Sequence, residues 1–363
     1  MIPWLRRTYA LQDPRHARLL PMEGLRGYAV TLVFLHHYSV QAELLGLPAG
    51  AAAATAAALR GYGNLGVELF FVLSGYLIYG TLVRKAPPFA GFMARRCQRI
   101  YPAFLVMFAV MLALTVLLPL PGKLTADPWR AAVYLAANLA LLPGLFPVVP
   151  IVDVAWSLSY EMAFYVATAV LVLGAGLART NRRRRVAVLA ALAAAFVLAS
   201  GAGIGIPLRM MPFFAGMLLA EGLGAWVPPW LAWAAPAAAL AACVTHALSG
   251  AAGELVYSVA FFALCAVCFR DAGSISRVMR WAPLRWLGNM SYSYYLVHGV
   301  VVRAVMVLLA RVLPLGMPDW LFWAFMPILY TATLAVASLL FVLVEKPLSL
   351  RPATAKLRGA VAV

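Results

Sequence analysis

Eleven apolar runs follow one another along the chain, separated by short polar or proline-containing connections. They lie near 27–46, 64–83, 100–118, 130–146, 154–178, 186–203, 207–225, 230–248, 252–269, 287–312 and 320–345. About 20 apolar residues in a helix cross the roughly 30 Å of hydrocarbon in a bilayer. The pattern therefore predicts an all-α polytopic membrane protein. We expect a single membrane domain over 1–363, because the polar lead 1–24 and the tail 346–363 are too short to fold alone.

Composition and charge support a membrane protein and argue against a nucleic-acid partner. The chain is 64% hydrophobic and only 11% charged, more apolar surface than a soluble protein of 363 residues can bury. Its net charge is +17, but 22 of its 29 basic residues fall in the connections 6–18, 84–99, 179–185, 270–285 and 346–358. Basic residues concentrate in this way in cytoplasmic loops. We therefore expect both termini in the cytoplasm and contact with anionic lipid.

The basic connections also fix the number of crossings. If 84–99 and 179–185 both face the cytoplasm, two spans separate them, yet three apolar runs fill that interval. The run 130–146 is interrupted by Pro143 and Gly144, so it is the weakest of the three. The sequence predicts about ten transmembrane helices plus one short re-entrant or interfacial segment at the outer surface. The connection 226–229, which should then face inward, carries no basic residue.

Arg26 and His37 occupy the same face of the first predicted helix. Eleven residues at about 100° each bring the two side chains within roughly 20° of one another, and His37 lies roughly 16 Å deeper. A guanidinium at the cytoplasmic mouth and a titratable base near mid-membrane suit anion binding and acid–base chemistry. The alternative is that His37 only hydrogen-bonds a neighbouring helix.

Four further polar side chains fall inside predicted spans. Glu68 and Glu161 lie in the outer halves of their runs, and Ser74 and His298 lie near mid-depth. Buried ionisable groups are costly in a membrane, so we expect Glu68, Glu161 and His298 to line one lumen with His37. Ser74 fits helix packing and polar lining equally well.

Three arginines, Arg95, Arg96 and Arg99, stand at the cytoplasmic end of the third span. They fit either a solvated cluster that sets the topology or a clamp for a polyphosphate ligand. Cys265 and Cys268 form a CxxC inside an apolar run with no second pair, so no metal site is predicted. The chain has no GxSxG elbow and no phosphate-binding GxxxxGK[ST] loop.

Taken in order, the motifs resemble those of the acyltransferase-3 family of integral membrane O-acyltransferases. They are GLRG with the R-x10-H spacing to His37, GVELFFVLSGYLI, the RxxR of Arg96 and Arg99, WSLSYEMAFY, SYSYYLVH and EKP. Two departures are mild: Glu23 stands where Asp is usual before GLR, and Lys346 where Arg is usual before Pro. The resemblance covers nearly the whole chain.

The resemblance implies a ten-span enzyme of the bacterial inner membrane. Such enzymes move an acyl group, usually acetyl, from cytoplasmic acyl-coenzyme A to a hydroxyl of a surface polysaccharide, lipid-linked sugar or macrolide. By resemblance His37 is the essential catalytic histidine with Arg26 as its partner, and Arg96 and Arg99 contact the coenzyme A phosphates.

From these features we expect acyl-coenzyme A as co-substrate on the arginines, including Arg95. His37 acts either as general base or through transient acylation of its ring. Glu68, Ser74, Glu161 and His298 are the candidate acceptor-binding residues. The competing class is a transporter or flippase with proton-coupling His and Glu residues. No inverted repeat is evident, which counts modestly against that class.

Overall fold

The structure is a computed structural model that describes residues 2–10, 20–46, 50–117, 127–202, 208–244, 250–313, 316 and 318–350. Most of the expected tail, 351–363, lies outside these residues. Over the described ranges the chain forms α-helices and no β-strand. The helices are α1 (Ile2–Tyr9), α2 (Leu20–Ala42), α3 (Ala51–Lys85), α4 (Phe89–Leu117), α5 (Pro128–Leu139), α6 (Trp156–Ala169), α7 (Arg182–Gly201), α8 (Met211–Ala220), α9 (Leu231–Val244), α10 (Gly250–Phe269), α11 (Gly273–Met279), α12 (Ala282–Asn289), α13 (Ser291–Val312) and α14 (Asp319–Leu340). Helices α6 and α14 continue as π-helical turns to Gly174 and Ser349.

The prediction of an all-α polytopic membrane protein is confirmed. Seven helices of the described chain are long and apolar enough to cross a membrane: α3, α4, α6, α7, α10, α13 and α14, with α6 and α14 counted together with their π-helical continuations. Helices α2, α8 and α9 occupy the other three predicted spans. Helix α5, in the run predicted not to cross, has 12 residues and spans only about 18 Å.

Two boundaries differ from the apolar pattern. Helix α3 begins at Ala51, well before its apolar run, because the alanine-rich stretch 51–58 is a strong helix former. The run 287–312 is split at Met290, which ends α12 and precedes α13. This break places Ser291 at the first turn of α13, where its side chain faces α2.

Glycines bring the central helices into backbone contact. A Cβ added at Gly66 of α3 would lie 2.4 Å from the Ala29 carbonyl oxygen of α2, and one at Gly216 of α8 would lie 2.0 Å from the Val72 oxygen of α3. Small residues permit this close approach between membrane helices, where apolar burial alone gives little driving force. Helices α2 and α8 therefore pack on two sides of α3.

Short elements close one end of the bundle. The Lys346 ammonium donates to the Arg7 and Thr8 carbonyl oxygens at 3.1 and 2.6 Å, and the Asn289 amide donates to the Tyr9 oxygen at 2.9 Å. These bonds satisfy carbonyls that the last turn of α1 leaves free. The residue that departs from the family pattern, Lys346, thus holds α1 against the end of the bundle.

Candidate active site

A cavity of about 130 Å³ opens between α2, α3, α4, α6 and α13. It combines three arginines with hydroxyl groups, one carboxylate and an apolar wall. The polar lining residues, tyrosines included, are Arg26, Ser74, Arg96, Arg99, Ser157, Glu161, Tyr165, Ser291, Tyr292 and Tyr295. The structure therefore brings together five residues that the sequence analysis singled out in four separate motifs: Arg26, Ser74, Arg96, Arg99 and Glu161.

Arg26 is held at the cavity wall by close packing of α2 on α12 and α13. Its Nε and Nη2 atoms donate to the Ser291 hydroxyl at 3.2 and 3.0 Å. One turn earlier, Glu23 accepts from Arg285 at 2.8 Å, so a Glu fills the position where the family usually has Asp. Both contacts join α2 to residues more than 260 positions away.

The three arginines of α4 have different environments. Arg99 donates to the fully buried Glu345, which also accepts from the Ser293 backbone N–H at 3.0 Å. Arg96 has no carboxylate partner among the described residues, and its guanidinium lies 5.7 Å from the Phe92 ring centroid. Arg95 is exposed and is not among the cavity-lining residues. Arg96 is therefore the member of the cluster that is free to bind an anion inside the cavity.

Glu161 is the carboxylate of the cavity. It accepts a hydrogen bond from the Ser74 hydroxyl at 2.7 Å and another from the Tyr165 hydroxyl. The Arg96 guanidinium lies 5.9 Å from the centroid of the Tyr165 ring. Ser74 is thus a polar lining residue and not only a packing residue. This arrangement places hydrogen-bond acceptors on one side of the cavity, facing its arginines.

His37 and His298 form a pair of neighbouring rings. Their centroids lie 4.7 Å apart at an interplanar angle of 68°, and His36 stacks edge-on against the other side of His37 at 5.0 Å. His37 is half-buried, whereas His298 has no exposed surface. The His37 ring therefore faces other imidazoles in the interior of the bundle.

The hydrogen bonds of His298 determine its tautomer. Its Nδ1 lies 2.7 Å from the Tyr295 carbonyl oxygen, which can only accept, so Nδ1 carries the proton. In the neutral ring Nε2 then keeps a lone pair, and this atom has no hydrogen-bond partner among the described residues. His298 thus presents a buried acceptor beside His37.

The histidine pair lies one layer of side chains beyond the cavity. Tyr295 lines the cavity and stands one helical turn before His298, at a ring distance of 5.7 Å. Phe70, also at the cavity wall, packs 6.3 Å from the Tyr295 ring. Neither histidine is among the lining residues. The single expected lumen is therefore divided, with Glu161 on the arginine side and His298 behind Tyr295.

Glu68 lies on a different face of α3 from the cavity. It is 2% exposed, and it interacts electrostatically with Glu254 of α10 and with Arg209, which precedes α8. Sequence reasoning missed Glu254 and Arg209, because each stands at the polar edge of an apolar run, where an interfacial position is the ordinary interpretation. Over the described residues, no group of three His, Cys, Asp or Glu side chains could hold a metal ion.

A polytopic bundle that holds a histidine pair beside an arginine-lined cavity fits the class of membrane-embedded transferases. The chain belongs to the acyltransferase-3 family, since the family model described as an acyltransferase domain matches residues 21–342. The expected family is confirmed, and the protein is a membrane acyltransferase.

Curated relatives cover most of the chain. It is 29% identical to the acyltransferase MdmB of Streptomyces mycarofaciens, over 80% of each protein. It is also 29% identical to the exopolysaccharide production protein ExoZ of Rhizobium meliloti, over 83% of this chain and 95% of ExoZ. Identity to the putative peptidoglycan O-acetyltransferase YrhL of Bacillus subtilis is 26%, over 92% of this chain but 55% of YrhL. No solved structure is significantly similar to the chain.

Proposed function

We propose that the protein transfers an acyl group, most simply acetyl, from cytoplasmic acyl-coenzyme A to a hydroxyl of a surface glycan or lipid-linked sugar. The observation that carries this proposal is the arrangement of the arginine-lined cavity, which ends at Tyr295, one turn from the His37–His298 pair. The names of ExoZ and of YrhL, which concern exopolysaccharide and peptidoglycan, support a glycan acceptor.

The donor phosphates bind at the arginine end of the cavity. Arg96 supplies the unpaired guanidinium, Arg26 adds a second, and Arg99 contributes less because Glu345 already neutralises it. Guanidinium groups suit phosphate oxygens through paired hydrogen bonds. Arg95, exposed on the same helix, meets the donor only outside the cavity. The concentration of basic residues in the connections supports a cytoplasmic position for this end, in the bacterial inner membrane and with both termini on the same side.

His37 acts as the general base, with His298 orienting it. When the acceptor is bound, the His37 ring N–H can donate to His298 Nε2, which has no partner among the described residues, and the other His37 nitrogen then accepts the proton of the incoming hydroxyl. The hydroxyl oxygen attacks the thioester carbonyl, the carbon–sulfur bond breaks, and the leaving thiolate takes the proton from His37. The ester and free coenzyme A are the products, and no net proton is released.

The test of the base is His37→Ala, with His36→Ala as its matched control on the same helix. Removal of a general base lowers the rate by about 10²–10⁴-fold. We expect at least a 100-fold loss for His37→Ala and less than a tenfold loss for His36→Ala. The measurement is the number of alkali-labile acyl esters on surface glycan from cells that express each variant at equal level. Near wild-type esterification by His37→Ala would exclude this mechanism.

The donor site is tested by Arg96→Ala against Arg95→Ala. Hydrogen bonds to charged groups contribute about 1.5–3 kcal/mol, so acetyl-coenzyme A should bind detergent-purified Arg96→Ala about 10–100-fold more weakly. Arg95→Ala replaces an exposed side chain and should weaken acetyl-coenzyme A binding less than threefold. If the wild-type protein does not bind acetyl-coenzyme A, the proposed donor is refuted. Equal losses for the two variants would refute the assignment of Arg96.

A further inference from the structure

Three buried polar atoms of α3 and α10, outside the lining of the donor cavity, have no hydrogen-bond partner within the described parts of the chain. They are Glu68 Oε2, Glu254 Oε2 and the Ser258 hydroxyl oxygen. A buried polar group without a hydrogen-bond partner destabilises the folded protein, and a charged group does so more strongly. Their retention in a protein core indicates a ligand that supplies the missing bonds.

These side chains lie on α3 and α10, which pack against each other. Glu254 and Ser258 are four residues apart and therefore share one face of α10. Glu68 interacts electrostatically with Glu254, and Arg209 interacts with both carboxylates. The juxtaposition of two carboxylates and a hydroxyl, with one guanidinium beside them, is polar on every side.

Aromatic side chains complete the group. The Arg209 guanidinium lies 4.8 Å from the centroid of the Trp156 ring, at the start of α6. Tyr160, one turn further along α6, interacts electrostatically with Arg209 and Glu68. Trp156 and Tyr160 thus border the same cluster as the two carboxylates.

We infer that Glu68, Glu254, Ser258, Arg209 and Trp156 form the binding site for a polyhydroxylated, sugar-like acceptor. Carboxylates accept hydrogen bonds from hydroxyl groups, and the guanidinium and serine donate to ring and hydroxyl oxygens. A flat indole covers the apolar C–H face of a pyranose. The mixture of donors and acceptors fits a neutral sugar better than a cation, which needs acceptors alone. This inference rests on the proposed acyl transfer.

The cluster adjoins the donor cavity without contributing to its lining, since Arg209 interacts electrostatically with Tyr295, which lines the cavity. Arg209 also interacts electrostatically with His36, whose ring contacts His37. The acceptor therefore approaches His37 past Arg209 and His36, while the donor approaches past Tyr295, which adjoins the same arginine.

The experiment uses the full chain in lipid nanodiscs and methyl β-D-glucopyranoside as probe, observed by saturation-transfer NMR. The variants Glu68→Met and Glu254→Met remove the carboxylates at similar volume, with Glu43→Met as control. Glu43 pairs with Arg60 on the protein surface, away from the cluster. We expect the probe signal to fall at least fivefold in both cluster variants and to stay unchanged in the control and for tetrahydropyran, which lacks hydroxyls.

A second measurement separates a ligand site from a structural role. Replacing a buried, unsatisfied charge by an apolar side chain is often neutral or stabilising, so the melting temperature of both cluster variants should stay equal or rise. A fall in melting temperature with unchanged probe signal would overturn the inference. So would the absence of any probe signal, or stabilisation of the wild type by Mg²⁺ or Ca²⁺ that both variants lose.

The same samples distinguish this inference from the proposed function. Acetyl-coenzyme A should bind the wild type and the variants Glu68→Met, Glu254→Met and Glu43→Met with equal affinity, because the cluster lies outside the donor cavity. Loss of probe binding with retained donor binding supports an acceptor site. If the donor fails to bind the wild type while the probe signal depends on Glu68 and Glu254, the transferase proposal fails and the sugar site remains.

Discussion

Gly288 offers a direct test of how the packing of α2 positions Arg26. A Cβ at this residue would lie 1.7 Å from the Glu23 carbonyl oxygen, and ordinary contact begins at 3.4 Å. In Gly288→Ala this separation must therefore double, and because the obstructing atom is backbone, no side-chain rotation can relieve the clash. The helices α2 and α12 have to move apart.

The separation of α2 from α12 disrupts the hydrogen bonds between Arg26 and Ser291. Arg26 follows Glu23 by one turn, and Ser291 follows Gly288 by three residues, so a shift of about 1.7 Å takes both donor–acceptor distances well beyond 3.5 Å. Overpacking costs about 1–3 kcal/mol, and the upper end applies to a backbone obstruction. A displacement of about 1 Å in an active site can cost 100-fold in rate.

We expect Gly288→Ala to lower acyl transfer about 100-fold and to lower the melting temperature of the purified protein. The assay is transfer from radiolabelled acetyl-coenzyme A in isolated membranes, normalised to protein level. Gly201→Ala is the matched control, since a Cβ at Gly201, at the end of α7, meets nothing within 4 Å. Its activity should stay within twofold of wild type. Full activity and stability in Gly288→Ala would show that α2 and α12 do not pack as closely as described.

Two further substitutions test the contacts that Glu345 and Lys346 make at the end of the bundle. Glu345→Gln removes the charge that pairs with Arg99, and because breaking a buried pair costs about 3–5 kcal/mol, we expect a clear fall in melting temperature. An unchanged melting curve would contradict that pairing. Lys346→Met removes the donor to the last carbonyls of α1, so trypsin should cleave after Arg6 and Arg7 faster while acyl transfer stays within about twofold. Equal cleavage rates would show that α1 is held by other contacts.

The helices of this protein follow from its sequence because the length of an apolar run is a local property. Each predicted span contains a helix of the described chain, although α8 has only 10 residues, and the proline-interrupted run 130–146 gives the 12-residue α5. The spacing between Arg26 and His37 also needed no tertiary information, since both lie on one helix. These local features determine the class of protein and the face of α2 that carries Arg26 and His37.

The tertiary structure decided which polar groups meet. Arg96 and Arg99 have the same sequence context, yet only Arg99 meets Glu345, 246 residues away. Glu68 and Glu161 lie at similar predicted depths, but the rotation of their helices puts Glu161 in the arginine-lined cavity and Glu68 with Glu254. Such partnerships depend on how helices rotate and approach one another, which the close glycine contacts fix. A hydrophobic pattern specifies that a helix is buried, whereas its neighbours are chosen by packing across the whole bundle.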